Sequence, residues 1–320
     1  MKPINKQIRA FRGFTIIELL TVMSIIIILI SLLAPALTRV KRYATDVKQH
    51  AQFHSISVAL DTYYAEYEEY PDSDETDDAT PAQPYCGAMK LAEAMIGQDM
   101  MGFHPDSSFR QDGRDTVGND LYTGPGVVMT PEELNENLRD RKTYLEVDRA
   151  NAYTLDKIYN NSVLTASPFI PDPTTNIISD MVLCDSYNRV KHQVTGKRIG
   201  MPILYYKADS VNKDHYGPSD PLYDPDKNTY DSRDNQDLVD LQTDWMGAAE
   251  HHQMASEVGG WVSSAGTATS PQYFYDTTMN ETIFQNTGVR RPYRENTYIL
   301  RSAGFDGEYG TNDDIFNFDN

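Results

Sequence analysis

The chain has 320 residues, enough for one sizeable domain or one domain with large insertions. It carries 28 basic and 47 acidic residues, a formal net charge of −19. A surface this acidic repels phosphate, which argues against nucleic acid as a partner. Such a charge otherwise bears on solubility and on association with cations or basic partners.

The N-terminal segment begins with a basic stretch and continues as a long apolar run over residues 14–37, in which Glu18 is the only charge. A helix of this length crosses the hydrocarbon core of a bilayer, and the preceding bases favour leaving that end in the cytoplasm. A cleaved secretory signal would have a shorter apolar core and a small-residue cleavage site after it. A plain signal anchor fits the length but does not explain Glu18, because a carboxylate in such a helix costs about 2.5–3.5 kcal/mol.

The residues at the start of this run resemble the processing site of type IV prepilins and type II secretion pseudopilins. A short basic leader is followed by Gly13, Phe14, three further residues and Glu18. The resemblance implies that prepilin peptidase removes leader 1–13 by cutting between Gly13 and Phe14, and that Phe14 becomes N-methylated. It also implies that Glu18 pairs with the N-terminal amine of a neighbouring subunit, since one charge buried alone is costly. The implied partners are further copies in a helical filament, the peptidase and an inner-membrane assembly platform.

Beyond Pro35 the sequence predicts an amphipathic stem helix over residues 38–70, before Pro71. The tyrosine-rich end of this stem, followed by Tyr70-Pro71, also resembles pseudopilins. We expect His54 to be packed in the core. The predicted buried face is one stripe with three- and four-residue spacing, formed by Ala44, Val47, Ala51, His54 and Val58 and extended by Ile56, Leu60, Tyr63 and Tyr67.

Residues 71–320 are expected to form a globular head, larger than a typical pseudopilin head. The predicted fold class is α+β: a long N-terminal helix, first transmembrane and then amphipathic, packed on a small antiparallel sheet with large loop-rich insertions. The apolar runs predict strands at Tyr153–Ile158, Met181–Cys184, Met201–Lys207 and Thr297–Arg301, and helices at Leu91–Met101, Pro131–Leu138 and Leu238–Met254.

Two cysteines, Cys86 and Cys184, stand far apart in the sequence. Their spacing gives neither a zinc pattern nor a CxxC redox motif. If the head lies outside the cytoplasm, one disulfide between them is a possible feature. The sequence leaves this pairing open, because it does not show whether the two Cα atoms come close enough.

The C-terminal stretch, within residues 300–315, carries oxygen-donor side chains on a glycine-punctuated loop. Calcium takes six to eight such oxygens, so the loop is a candidate calcium site. The sequence lacks the EF-hand pattern, but it resembles the C-terminal calcium loop of major pseudopilins. By that resemblance the ligands are the side chains of Asp306, Asp313 and Asp314, with backbone or hydroxyl oxygens of Leu300, Ser302 and Ile315.

No P-loop, nucleophile elbow, HExxH or dinucleotide fingerprint occurs, so we predict that the chain is not an enzyme. The expected function is a structural subunit of a pilin-like filament, the pseudopilus of a type II secretion system. The chain would be a single-pass inner-membrane protein with its head in the periplasm, and the assembled filament would be periplasmic or extracellular. Two alternatives remain: a surface type IV pilin for adhesion or motility, and a pilin-anchored module that binds a carbohydrate or protein ligand.

Overall fold

The computed structural model describes residues 15–75, 84–124, 127, 129–159, 164, 169, 180–241, 254 and 270–318. The fold class is α+β, as predicted, with a long N-terminal helix, small antiparallel sheets and loop-rich regions. The helices are α1 (Ile16–Tyr67), α2 (Gly87–Ile96), α3 (Pro131–Asp140), α4 (Val147–Ala150), α5 (Leu155–Ile158), α6 (Gln236–Val239), α7 (Ser270–Thr278) and α8 (Glu281–Thr287). The strands are β1 (Ala152–Thr154), β2 (Met181–Leu183), β3 (Val190–Lys191), β4 (Arg198–Ile199), β5 (Leu204–Lys207), β6 (Tyr298–Ser302) and β7 (Ile315–Phe316).

The chain divides into two units, Met1–Thr45 and Asp46–Asn320, and α1 contributes residues to both. In the first unit, α1 is long and apolar enough to cross a membrane, and it continues through Pro35. Its side chains from Ile16 to Leu37 are all exposed. Such a surface needs lipid or other apolar groups around it, because exposed apolar area is unfavourable in water.

In the second unit, the stem part of α1 packs on the head through the C-terminal part of the predicted stripe. Ile56, Leu60 and Tyr63 are buried together with Phe53. The N-terminal part of the stripe and the expectation of a buried His54 are wrong, because Val47 and Val58 are about half exposed and His54 is exposed. The two parts of the stripe lie on different faces of the helix, and the helix buries the face with the larger side chains, each contributing about 1.5–3 kcal/mol when fully buried.

The central sheet consists of β5, β6 and β7 in that order, all antiparallel. Leu204 lies opposite Arg301, and Ser302 lies opposite Ile315. Because side chains of a strand alternate between faces, the sheet contributes to a separate core cluster on each side. The first cluster includes Leu204, Tyr206, Ile299 and Phe316, and the second joins Tyr205, Tyr298 and Leu300 to the buried stripe of α1.

Several local predictions are confirmed and two are wrong. Helix α3 begins at Pro131, as predicted, and a capping box in which Thr130 and Glu133 exchange hydrogen bonds forms its start. The region predicted as a strand at Tyr153–Ile158 is strand only to Thr154 and then turns into α5. Strand β7 was not predicted. The helix expected at Leu238–Met254 ends at Val239, and residues 242–253 lie outside the described part of the chain.

Cys86 and Cys184 are fully buried free thiols in one core cluster, so the disulfide considered from the sequence is not formed. Cys86 precedes α2, and Cys184 follows β2. Burial raises the pKa of Cys86 to about 12 and raises the pKa of Cys184 as well. Both groups therefore stay protonated and pack as small apolar side chains.

Candidate functional site

The predicted processing site is described only in part, because Gly13 and Phe14 lie outside the described residues. Glu18 lies in the first turn of α1. Its Oε2 accepts hydrogen bonds from the Thr15 backbone N–H (2.9 Å) and hydroxyl (2.7 Å), and the Glu18 N–H donates to the Thr15 hydroxyl (3.3 Å). This reciprocal arrangement is a capping box, so Glu18 stabilises the start of the helix.

The C-terminal loop is closed by the pairing of β6 with β7, which brings Ser302 opposite Ile315. Gly304 makes the tight turn at its start, with a φ of 65°. A Cβ on Gly304 would lie 1.9 Å from the carbonyl oxygen of Asp313. Only glycine combines this backbone conformation with so close an approach, so Gly304 sets the distance between the two sides of the loop.

Asp306 and Asp313 meet across this loop. The Asp306 N–H donates to Asp313 Oδ2 (3.0 Å), and the Thr311 hydroxyl donates to Asp313 Oδ1 (2.7 Å). Burial and the contact with Asp313 raise the pKa of Asp306 to about 7. Two carboxylates that crowd each other in this way favour a proton or a cation between them.

Asp314 has a different partner. Arg301 donates from Nε (2.9 Å) and from its terminal nitrogen to Asp314 Oδ2, and the two side chains are 0% and 2% exposed. The Arg301 guanidinium also lies 5.0 Å from the Phe316 ring centroid. No sequence motif predicts this ion pair, although Arg301 is the one base within residues 300–315.

The remaining predicted ligands lie in the sheet rather than in the loop. The Leu300 carbonyl accepts the Asn317 N–H (3.2 Å), and Ile315 belongs to β7. The Ser302 hydroxyl donates to Asp185 Oδ2 (2.8 Å). Asp185 is fully buried, and burial raises its pKa to about 7.

The fit of this loop to calcium differs between its acids. Asp306 and Asp313 fit, because they present two crowded carboxylates beside the hydroxyl of Thr311. Asp314 does not, because one of its oxygens is bound by Arg301, although its Oδ1 is buried without a hydrogen-bond partner. Within the described residues, no three His, Cys, Asp and Glu side chains form a group that could hold a metal ion. A calcium ion here would therefore need hydroxyl, main-chain or water oxygens besides the two carboxylates.

Comparison with known proteins assigns no family. Neither a protein-family model, nor a curated protein, nor a solved structure matches this chain.

Proposed function

We propose that the chain is a structural subunit of a pilin-like filament, the pseudopilus of a type II secretion system. The observation that carries the proposal is a helix that is long and apolar enough to cross a membrane. Glu18 is the one charged side chain in its apolar run, and it lies at the spacing from Gly13 and Phe14 that prepilins have. The chain is held in the inner membrane until assembly, with its head in the periplasm. Prepilin peptidase releases the leader, and an assembly platform inserts the subunit into the filament.

Assembly would use the exposed apolar surface of α1 and the charge of Glu18. Apolar side chains from Ile16 to Leu37 exchange lipid for the helices of neighbouring subunits. Glu18 pairs with the methylated amine of Phe14 in another copy, so neither charge stays unpaired in an apolar medium. A head-to-tail contact of this kind does not close and therefore propagates as a filament.

The most direct test is N-terminal mass spectrometry of the mature full-length protein. We expect a start at Phe14, carrying one methyl group on its amine. An intact Met1, or cleavage after the apolar run, would contradict the processing step. Protease added to spheroplasts then checks topology, since a periplasmic head is digested while the membrane is closed.

The role of Glu18 is tested by the substitution Glu18→Gln. Glutamine retains an oxygen that can accept from Thr15, so the helix start is preserved, but the charge is lost. We expect normal membrane insertion and processing, with filament yield at least tenfold lower. A conservative control is Thr15→Ser, which retains the hydroxyl that bonds Glu18 and should assemble as the unsubstituted chain does. Equal filament yields for Glu18→Gln and the unsubstituted chain would refute charge pairing.

We further propose that Asp306 and Asp313 hold a calcium ion, which stabilises the head. Calcium would place a positive charge between these two crowded carboxylates. Calorimetry on the full chain in detergent micelles tests this, and we expect binding in the micromolar to millimolar range that Asp313→Ala abolishes. The control is Asp148→Ala, an exposed acid in α4. Absent binding, or binding unchanged by Asp313→Ala, would rule out this site without affecting the filament proposal.

A further inference from the structure

A cleft of about 640 Å³ opens in the second unit where α1 ends. Its walls come from the end of α1 and the segment after it, from residues 207–212, from residues 225–234 and from Asn296-Thr297. Eight of the lining residues that the structure describes are acids, and Lys207 is the single base among these described residues. No sequence motif and no proposed step of filament assembly uses this cleft.

The bases near the cleft neutralise only part of its charge. Lys207 lies 3.7 Å from Glu69, and buried Lys90 lies 3.4 Å from Asp72. Arg233 binds Asp226 and Asp231 on the opposite wall. Further acids of the lining, Glu68, Asp74 and Asp234, form no ion pair with any residue that the structure describes. The ion pairs between described residues therefore compensate only part of the negative charge of the cleft.

Asp234 is the least accessible of these acids, with only 6% of the residue exposed. Its Oδ2 accepts the Ser73 hydroxyl hydrogen bond, whereas its Oδ1 has no hydrogen-bond donor in the described part of the chain. Burial raises the pKa of Asp234 well above its ordinary value, and the neighbouring Asp231, Asp74 and Asp72 raise it further. A carboxylate this buried normally has a paired charge, whereas the donor to Asp234 is the neutral hydroxyl of Ser73. A cationic ligand in the cleft would supply the charge that this hydroxyl does not.

Two further features of the cleft favour a cation. The C-terminal end of α1 carries the negative pole of a long helix, and its last turn has no basic side chain. Tyr64 and Tyr70 also lie on the wall, with ring centroids 4.7 Å apart. Aromatic faces attract ammonium and guanidinium groups, which gives an organic cation a contact that a hydrated metal ion does not need.

We propose that this cleft binds an organic cation that bears a primary ammonium or guanidinium group, with Asp234 as the innermost contact. The volume falls within the roughly 300–1,000 Å³ of small-molecule sites and far exceeds the roughly 30 Å³ share of one water molecule. The ring pair of Tyr64 and Tyr70 on the wall favours an organic cation over a hydrated metal ion. The chemistry is shared by free polyamines and by lysine or arginine side chains of a peptide.

The test is calorimetric titration of the full chain in detergent micelles at low ionic strength. Spermine represents a free polyamine, and a six-residue lysine peptide represents a basic peptide. We expect saturable binding of at least one probe, about tenfold weaker for Asp234→Asn, since a tenfold change corresponds to about 1.4 kcal/mol. Binding of only one probe identifies the source of the cation.

Matched variants separate the cleft from the general acidity of the surface. Asp74→Asn, on the exposed rim, should also weaken binding, and it keeps the test valid if Asp234→Asn folds poorly. Asp148→Asn removes the same charge from exposed α4 and should change nothing. The proposal is overturned if neither probe saturates, or if Asp148→Asn weakens binding as much as Asp234→Asn does. It is also overturned if calcium displaces the probe through Asp234, because the cleft would then be a metal site.

Discussion

The C-terminal loop and the cleft at the end of α1 are both rich in acids, but they handle the buried charge differently. In the loop, Asp314 is paired with Arg301, and both side chains are almost inaccessible. In the cleft, Asp234 is equally buried but has a serine hydroxyl in place of a base. An acidic sequence therefore does not define one kind of site: one buried carboxylate is part of the folded structure, and the other remains available to a ligand.

The largest expected effect is the loss of stability on breaking the ion pair between Arg301 and Asp314. Arg301→Met removes the buried guanidinium and leaves Asp314 uncompensated, so we expect a loss of about 3–5 kcal/mol in unfolding free energy. Denaturant unfolding of the full chain in micelles, followed by near-ultraviolet circular dichroism of the buried tyrosines, measures this loss. Arg149→Met is the control, because its partner Glu146 and Arg149 itself are 72% and 75% exposed. An unchanged denaturation midpoint for Arg301→Met would show that the pair is not structural.

The second effect concerns the closure of the C-terminal loop. Gly304 and Gly196 both have a φ of 65°, but only Gly304 has a backbone carbonyl where a Cβ would lie. Alanine at either position should cost about 1–2 kcal/mol for the left-handed backbone. Gly304→Ala should cost more than Gly196→Ala, since the strand ends must also separate. Equal unfolding free energies for the two variants would contradict an extra cost from the contact with the Asp313 carbonyl oxygen.

In the cleft, a substitution of Asp234 is expected to raise the stability of the chain, by less than the losses above. Asp234→Asn should stabilise the ligand-free chain by about 1 kcal/mol at pH 8, because a buried uncompensated charge is removed. The raised pKa of Asp234 means that the fold favours its protonated form, so stability is lost as pH rises above the ordinary value of 3.8. The gain in Tm of Asp234→Asn should therefore shrink toward pH 5. A gain independent of pH would contradict the assignment of an unpaired charge.

The smallest expected effect is on the pH dependence of stability that Glu93 contributes. It tests whether hydrogen bonds alone can stabilise a buried carboxylate that has no base beside it among the described residues. Glu93 is buried without a base, but it accepts hydrogen bonds from Tyr85, Gln98 and Ser107. Burial still raises the pKa of Glu93, so it too loses stability as pH rises above 4.5. The difference in unfolding free energy between Glu93→Gln and the unsubstituted chain should shift in favour of the variant as pH rises, by well under the roughly 1.4 kcal/mol per pH unit of one fully titrating group. A pH-independent difference would show that the three donors hold Glu93 ionised.

Local sequence was sufficient to predict the elements that carry their own signals. The apolar run before Lys207 predicts β5, and Thr130 with Glu133 predicts the start of α3, because strand alternation and capping depend on neighbouring residues. The α5 turn was missed, since a four-residue helix has too few positions to show a period. The predicted stripe of α1 was only partly right, because the face that the helix buries depends on the head surface against which Phe53 packs.

The candidate sites could be predicted only in part. Asp306 and Asp313 are close in sequence, so their meeting in one loop followed from the glycines between and before them. The Arg301–Asp314 pair depends on the pairing of β6 with β7, which no local pattern specifies. The cleft brings together segments more than a hundred residues apart, and composition alone gives no indication which acids share a wall.

The attachment of the stem to the head has a mechanical consequence. At the start of the stretch, Asp46 Oδ1 accepts the Tyr187 hydroxyl hydrogen bond (2.6 Å), and Gln52 donates to the Cys184 carbonyl (2.8 Å). At its far end, Glu66 accepts the Tyr144 hydroxyl hydrogen bond (2.7 Å), about 30 Å further along the helix. A force along the axis of residues 46–67 loads these hydrogen bonds in shear. The bonds therefore share the tension and do not break one after another.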